Sequence, residues 1–142
     1  MKTLNVPSRT LSVLVVDDNA DTAWSLTELL NMHGFSARAA CSALEALDLA
    51  WVDPPDVVVL DLVMPRMTGW ELAAALMDCA KPPVLIAISG ACGALVQAHS
   101  ARSPINIHLT KPADPAEVVG VLLRVGEVLD AMRAELPLMC GT

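Results

Sequence analysis

Five polar residues that could act on a phosphoryl group each stand just after a short apolar run of the chain. They are Asp17, Asp18, Asp61, Ser89 and Lys111. Three carboxylates held close together repel one another, and a hard divalent cation such as Mg²⁺, which prefers oxygen ligands, relieves that repulsion. A metal ion, an ammonium and a hydroxyl can together stabilise a transferring phosphoryl group, and a carboxylate among them can be the nucleophile. This chemistry requires a fold that brings the five residues together.

The apolar runs predict such a fold, because they alternate with segments of helical pattern. Strands are predicted at 11–16, 35–40, 56–60, 84–88 and 105–109, and helices at 20–33, 42–52, 69–79, 91–100 and from Asp114 to about Met132. Strands that are apolar at every position are typical of a parallel sheet with helices on both faces. Right-handed crossovers then give a doubly wound α/β sheet, in which polar residues after each strand meet at one edge.

The composition limits the class of protein. A chain of 142 residues that is 54% hydrophobic fits one folded domain and not a disordered chain. Its net charge of −7 repels nucleic acid phosphates, so we predict no direct nucleic acid partner. No apolar run approaches the ~20 residues of a membrane span, and residues 1–10 lack the apolar region of a signal peptide. We therefore predict no membrane insertion and a cytoplasmic location.

Four segments of the chain resemble the receiver domain of bacterial two-component response regulators and hybrid histidine kinases. They are "VLVVDDN" at 13–19, "VVVLDLVMPRMTGWEL" at 57–72, "ISG" at 88–90 and "LTKPADPAE" at 109–117. Together they are far more specific than any one of them. The resemblance covers roughly residues 11–130 and implies a flavodoxin-like sheet of strand order 2-1-3-4-5. We predict a receiver domain at 11–132, an N-terminal extension at 1–10 and a C-terminal tail at 133–142.

The resemblance also implies a role for each carboxylate. Asp61 would accept a phosphoryl group from a histidine of a sensor kinase or of a phosphotransfer protein. Asp18, Asp61 and the backbone carbonyl of Val63 would ligate Mg²⁺, and Asp17 would act through a metal-bound water. The chain would then be a phosphoacceptor with Mg²⁺ as its cofactor, and not an enzyme that turns over a separate substrate.

The remaining site residues would read out the phosphorylated state. The resemblance implies that Ser89 hydrogen-bonds the phosphoryl group and that Lys111 pairs first with Asp61 and then with that group. A cis peptide before Pro112 would aim the lysine. The family usually has an aromatic residue at the switch position, where this chain has His108, and an imidazole there adds pH sensitivity.

Two neighbouring positions predict how long the phosphoryl group stays. Val63, two residues after Asp61, and Ala91, two residues after Ser89, are apolar. Neither side chain can orient an attacking water, so we predict slow loss of the phosphoryl group.

Three further residues carry structural predictions. Gly69 is predicted to permit the turn into the third helix. Trp51 is predicted to be partly buried on the second helix. Trp24 falls on the outer side of the first helix, where it is either an anchor for the kinase or phosphotransfer partner or packs against a neighbouring helix.

Two other functions remain open from the sequence. One is a receiver-like domain that binds partners independently of phosphorylation. The other is a phosphatase with an aspartyl nucleophile, which needs an Asp-x-Asp pattern after the first strand, whereas Asp17 and Asp18 are adjacent.

Overall fold

The computed structural model describes residues 10–90 and 104–140, with side chains described through Arg133. The strands are β1 (Ser12–Val16), β2 (Ser36–Ala40), β3 (Val57–Asp61), β4 (Val84–Ser89) and β5 (Ile107–Thr110). The helices are α1 (Ala20–Met32), α2 (Ala43–Val52), α3 (Gly69–Leu76) and α4 (Pro115–Cys140). The helix predicted at 91–100 lies outside the described residues.

The five strands form one parallel sheet in the order β2-β1-β3-β4-β5. This confirms the predicted doubly wound sheet and its strand order. The chain passes from β1 outward to β2 and then back across β1 to β3. The order therefore reverses between β1 and β3, and in such sheets the functional crevice lies at the carboxyl ends of the strands beside this point.

Two apolar layers cover the sheet, because successive side chains of a strand point to opposite faces. One layer packs beneath α2 and α3 and includes Leu14, Leu60, Leu72, Leu76 and Leu85, all buried. The other packs beneath α1 and α4 and includes Val13, Leu30, Val57, Ile86 and Leu122, all buried. The central strand β3 is buried at all five positions. The buried strand therefore holds Asp61, its last residue, in a fixed position.

Side-chain caps fix the starts of the helices. Asn19 accepts a hydrogen bond from the Thr22 amide at the start of α1. Ser42 accepts a hydrogen bond from the Glu45 amide at the start of α2, and Asp114 accepts one from the amide of Ala116, the second residue of α4. At α3, Thr68 and Glu71 form a reciprocal capping box that the sequence analysis missed.

Trp51 contradicts the prediction of partial burial, since 76% of its surface is exposed. The α2 residues that face the sheet are the alanines Ala43, Ala46 and Ala50. Consecutive residues of a helix are rotated by about 100° from each other. Trp51 follows Ala50 directly and therefore points away from the core.

The last helix was predicted to end near Met132, with residues 133–142 as a tail, but α4 continues to Cys140. The first residue of that predicted tail, Arg133, contacts the body of the domain. Its Nη2 lies 2.9 Å from Oδ1 of Asp56, a buried carboxylate that also accepts from the Ser12 amide. This ion pair ties the helix to the body of the domain just past its predicted end. The division of the chain into extension, domain and tail stays a prediction.

Glycine is required at position 69 because the backbone of Asp61 and Leu62 lies very close to it, and not because of a special backbone conformation. A Cβ atom at this position would overlap the carbonyl oxygen of Asp61 and would lie 2.6 Å from Cα of Leu62. Its own amide donates to the Leu62 carbonyl at 3.0 Å. The backbone of α3 thus begins directly against the segment that carries Asp61.

Replacing Gly69 with alanine is expected to lower the free energy of unfolding by about 2 kcal/mol, because the methyl group meets backbone atoms that cannot rotate away. Gly120 in α4 is the matched control, since a Cβ there meets nothing within 4 Å. Gly120→Ala is expected to stabilise the protein by up to about 1 kcal/mol through helix propensity. Urea unfolding measures both, and equal effects of the two variants would contradict the close-approach argument.

Candidate functional site

Three carboxylates meet at the carboxyl edge of the sheet. β1 and β3 are paired neighbours with Val16 opposite Leu60. The residues that follow this pair, Asp17 and Asp61, therefore come together, with Asp18 beside them. One carboxylate oxygen from each of the three lies within 4.8 Å of the others. The structure thus brings together the three acids that the sequence singled out.

Lys111 enters the cluster from the end of β5. Its Nζ lies 3.2 Å from Oδ2 of Asp61 and 3.9 Å from Oδ2 of Asp17. The lysine amide donates to the carbonyl of Ser89 at 2.9 Å, which continues the pairing of β4 with β5. The Lys111–Pro112 peptide is cis, as the resemblance implied. Because the lysine side chain is partly exposed, its attraction to the acids is partly screened by water.

The Asp61 carboxylate is held in one orientation because each of its two oxygens has a partner. Oδ1 accepts a hydrogen bond from the Val63 amide at 3.1 Å, and Oδ2 faces the Lys111 ammonium. The side chain is buried at the end of β3. A carboxylate fixed in this way presents a defined oxygen to a reactant that approaches from the edge of the sheet.

The carboxyl of Asp17 has a raised pKa in this cluster. Burial raises the pKa of this carboxyl above its usual value of 3.8, and the negative charges of Asp61 and Asp18 raise it further. The amide of Asn19, which donates to Oδ1 at 2.9 Å, and the Lys111 ammonium lower the pKa without cancelling the rise. A further positive charge at this position would therefore be favourable.

The donor set fits Mg²⁺. Asp17, Asp18 and Asp61 offer oxygen atoms only, and oxygen ligands suit Mg²⁺ better than the nitrogen and sulfur ligands that zinc often uses. Asp18 is exposed, so a bound ion could keep several of its waters, as Mg²⁺ does. The carbonyl of Val63 as a further ligand stays a prediction.

Ser89 ends β4 on the same edge and is buried. Asp61 and Ile88 are paired across β3 and β4, so Ser89 lies one residue beyond the level of Asp61. The serine thus belongs to the cluster by position. Its hydrogen bond to a phosphoryl group stays a prediction.

His108 lies against Trp70, a contact that the sequence analysis missed. The ring centroids are 5.8 Å apart and the rings are tilted by 43°. Burial lowers the pKa of the histidine. The pH sensitivity predicted for this position is therefore shifted towards acid.

A cavity of about 660 Å³ opens beside the acids, between α1 and the start of α4. Leu26, Leu29 and Val118 line its apolar part, and Asp61 and Lys111 lie at its polar end. The Asp61 carboxylate thus borders a cavity that opens on the α1 side. Trp24 is exposed on the outer side of α1, which confirms its predicted orientation.

Comparison with known proteins identifies the family of proteins that has this fold and this acidic cluster. Residues 13–123 match the sequence profile of the response regulator receiver domain. The chain belongs to this family, whose members serve two-component systems. The resemblance inferred from the sequence is thereby confirmed.

Relatives in sequence cover the same region. The chain is 37% identical over 111 residues to an uncharacterised 14.6 kDa protein of Leptolyngbya boryana, which is 77% of this chain and 85% of that protein. It is 41% identical over 75 residues to the response regulator MprA of Mycolicibacterium vanbaalenii. That match covers 52% of this chain but only 32% of MprA, so the chain corresponds to about a third of that relative.

Solved structures show the same architecture. The receiver domain (CheY-like) of Methylobacillus flagellatus superposes with a TM-score of 0.72 at 27% identity, over 82% of this chain and 99% of that one. The chemotaxis protein CheY4 of Vibrio cholerae gives a TM-score of 0.75 at 25% identity, with the same coverage of both chains. Among residues 10–90 and 104–140, no helix has the length and apolar character that a membrane crossing needs.

Replacing Asp17 with asparagine is expected to stabilise the metal-free protein at pH 7, because asparagine carries no charge for burial and the neighbouring acids to disfavour. Because the folded-state pKa of Asp17 is raised, the folded protein loses stability as the pH rises from 3.8 through that higher value. The advantage of Asp17→Asn should therefore be absent well below this window and complete above it.

Urea unfolding in a chelator across this pH range measures the effect. Asp48→Asn is the control, because Asp48 is exposed on α2 and lies outside the cluster. If the gain in unfolding free energy does not change with pH, or if the control shares it, the raised pKa of Asp17 is not its cause.

Proposed function

We propose that the chain is a phosphorylation-controlled switch in which Asp61 accepts a phosphoryl group from a histidine kinase or a histidine phosphotransfer protein. One observation carries this proposal. The Asp61 carboxylate is buried at the end of the central strand, 3.2 Å from the Lys111 ammonium and within reach of two further acids that could hold a cation. Membership of the receiver family supports it.

Asp61 acts in the proposed reaction as the nucleophile. An oxygen of its carboxylate attacks phosphorus, a P–O bond forms, and the P–N bond of the donor phosphohistidine breaks with its electron pair staying on the ring nitrogen. Mg²⁺, held by Asp17, Asp18 and Asp61 with the Val63 carbonyl, would supply positive charge for the phosphoryl oxygens. The chain is in this view an acceptor and not a turnover enzyme.

Lys111 and Ser89 would stabilise the product. The Lys111 ammonium, which pairs with the Asp61 carboxylate, is placed to attract the phosphoryl oxygens once that carboxylate is phosphorylated. The Ser89 hydroxyl on the neighbouring strand would donate a hydrogen bond to the same group. Both interactions strengthen only when the phosphoryl group is present, which is what a switch requires.

His108 and Trp70 would carry the change to the surface. Trp70 follows Gly69, whose backbone contacts the Asp61 carbonyl, and His108 precedes Lys111 by three residues on β5. The segment that follows Asp61 carries Trp70, the strand that precedes Lys111 carries His108, and these two rings are in contact. A rearrangement of this pair would alter a surface that binds a downstream protein, in the cytoplasm and without direct contact to nucleic acid. The exposed Trp24 on α1 is the proposed anchor for the phosphodonor protein.

Intact-mass spectrometry after incubation with acetyl phosphate and Mg²⁺ tests the proposal. The protein should gain the mass of one phosphoryl group, and Asp61→Asn should gain none. Asp48→Asn, an exposed acid on α2, should gain as much as the wild type. If the wild type gains no mass while its unfolding is normal, the proposal is refuted and the alternative of a phosphorylation-independent binding domain is favoured.

Val63→Asn is expected to shorten the lifetime of the phosphoryl group on Asp61 about tenfold, which corresponds to about 1.4 kcal/mol of barrier. The Val63 side chain is 69% exposed beside the site, so an amide at this position could orient the attacking water that valine cannot. Loss of the phosphoryl mass after rapid removal of acetyl phosphate gives the rate.

Val52→Asn is the control for this rate, because Val52 is an exposed valine on α2 outside the site. Its lifetime should equal that of the wild type. A lifetime unchanged in Val63→Asn would show that another feature limits hydrolysis.

A further inference from the structure

The cavity beside the acids, between α1 and the start of α4, has a volume of about 660 Å³ and is mostly apolar; we call it the α1–α4 cavity. Val15, Val59 and Ile88 of the sheet lie on one side of it, and Leu26 and Leu29 of α1 lie on another. Small-molecule sites in proteins usually measure about 300–1,000 Å³ and have mostly apolar walls with a few polar groups. The proposed phosphoryl transfer uses none of these five side chains, so the apolar part of the cavity has no role in it.

Short side chains leave this space open. Thr22 and Ser25 line the cavity from α1, and Ala113 and Pro115 line it where the chain enters α4. A larger side chain at any of these positions would fill part of the space, and the whole chain has one phenylalanine and no tyrosine. The cavity therefore follows from the residue types at these positions.

The polar end of the cavity has an excess of negative charge. Asp17, Asp21 and Asp61 line it together with Lys111, so three negative charges and one positive charge give a net charge of −2. The Lys111 ammonium already lies 3.2 Å from Oδ2 of Asp61 and 3.9 Å from Oδ2 of Asp17. A ligand that carries a positive charge is therefore favoured here over one that carries a negative charge.

We propose that the α1–α4 cavity binds an amphipathic organic cation, which is a primary ammonium group on an unbranched apolar chain. The ammonium lies among the carboxylates of Asp17, Asp21 and Asp61, and the apolar chain extends between α1 and α4 against Leu26 and Val118. Burial of the chain contributes most of the affinity, and the acids select the sign of the charge. Binding does not require phosphorylation of Asp61, so its test is independent of the test of the proposed switch.

An NMR titration of the ¹⁵N-labelled protein with octylamine, in a chelator and at neutral pH, tests the proposal. The backbone amides of the residues that line the cavity should shift and saturate with one Kd below about 5 mM. Shortening the chain to butylamine should raise the Kd about fourfold for each methylene removed, because each buried methylene contributes a similar free energy. Octanoate, which has a chain of the same length and the opposite charge, should bind at least about tenfold more weakly than octylamine.

Two variants with matched controls locate the site. Ser25→Leu places a larger apolar side chain in the cavity and should raise the Kd of octylamine at least about tenfold, because the ligand and the new side chain compete for the same space. Ala74→Leu adds the same side chain at an exposed position of α3 and should leave the Kd unchanged. Asp21→Asn removes one charge from an exposed position and should raise the Kd about threefold. Glu28→Gln, at an exposed acid of α1 outside the cavity, should have no effect.

Far-ultraviolet circular dichroism verifies that each variant is folded. Three results would each overturn the proposal. They are the absence of a saturable shift up to about 5 mM octylamine, octanoate that binds as tightly as octylamine, and equal Kd values for Ser25→Leu and Ala74→Leu.

Discussion

Repulsion among the carboxylates of Asp17, Asp18 and Asp61 is the interaction around which the carboxyl edge of the sheet is arranged. Backbone amides of Asn19 and Val63 each donate to one of these carboxylates, and the Lys111 ammonium lies between Asp17 and Asp61. The pKa of Asp17 nevertheless remains raised, first because burial disfavours its negative charge and then because Asp61 and Asp18 are negative as well. The excess of negative charge among these acids favours the binding of a cation. A phosphoryl group that binds together with a cation would contact both that ion and Lys111.

The rest of the fold keeps these charges from moving apart. β3 is buried along its whole length, and its neighbours β1 and β4 hold it from both sides. Gly69 lets α3 begin directly on the backbone of Asp61, so a shift of the carboxylate segment would press on the helix. Packed interiors resist gradual deformation, so in the proposed switch a change of charge on Asp61 would be passed on as a discrete rearrangement.

The sheet and the acidic cluster were predictable because both follow from local patterns. Fully apolar runs mark buried parallel strands, and parallel strands bring their carboxyl ends, with Asp17, Asp61 and Lys111, to one edge. Some of the features that were missed depend on contacts between distant residues. Arg133 binds Asp56 across 77 positions, and no local pattern shows this pair. Trp51 was misjudged because alanines, not large side chains, form the buried face of α2.

A crystal structure of the protein with beryllofluoride and Mg²⁺ would test the central claim most directly, because beryllofluoride imitates a phosphoryl group on a carboxylate. The account predicts beryllium bonded to a carboxylate oxygen of Asp61 and Mg²⁺ among Asp17, Asp18 and Asp61. It also predicts that Lys111 Nζ and Ser89 Oγ contact the fluorides. Beryllofluoride on another acid, or Asp61 free while the metal is bound, would contradict it.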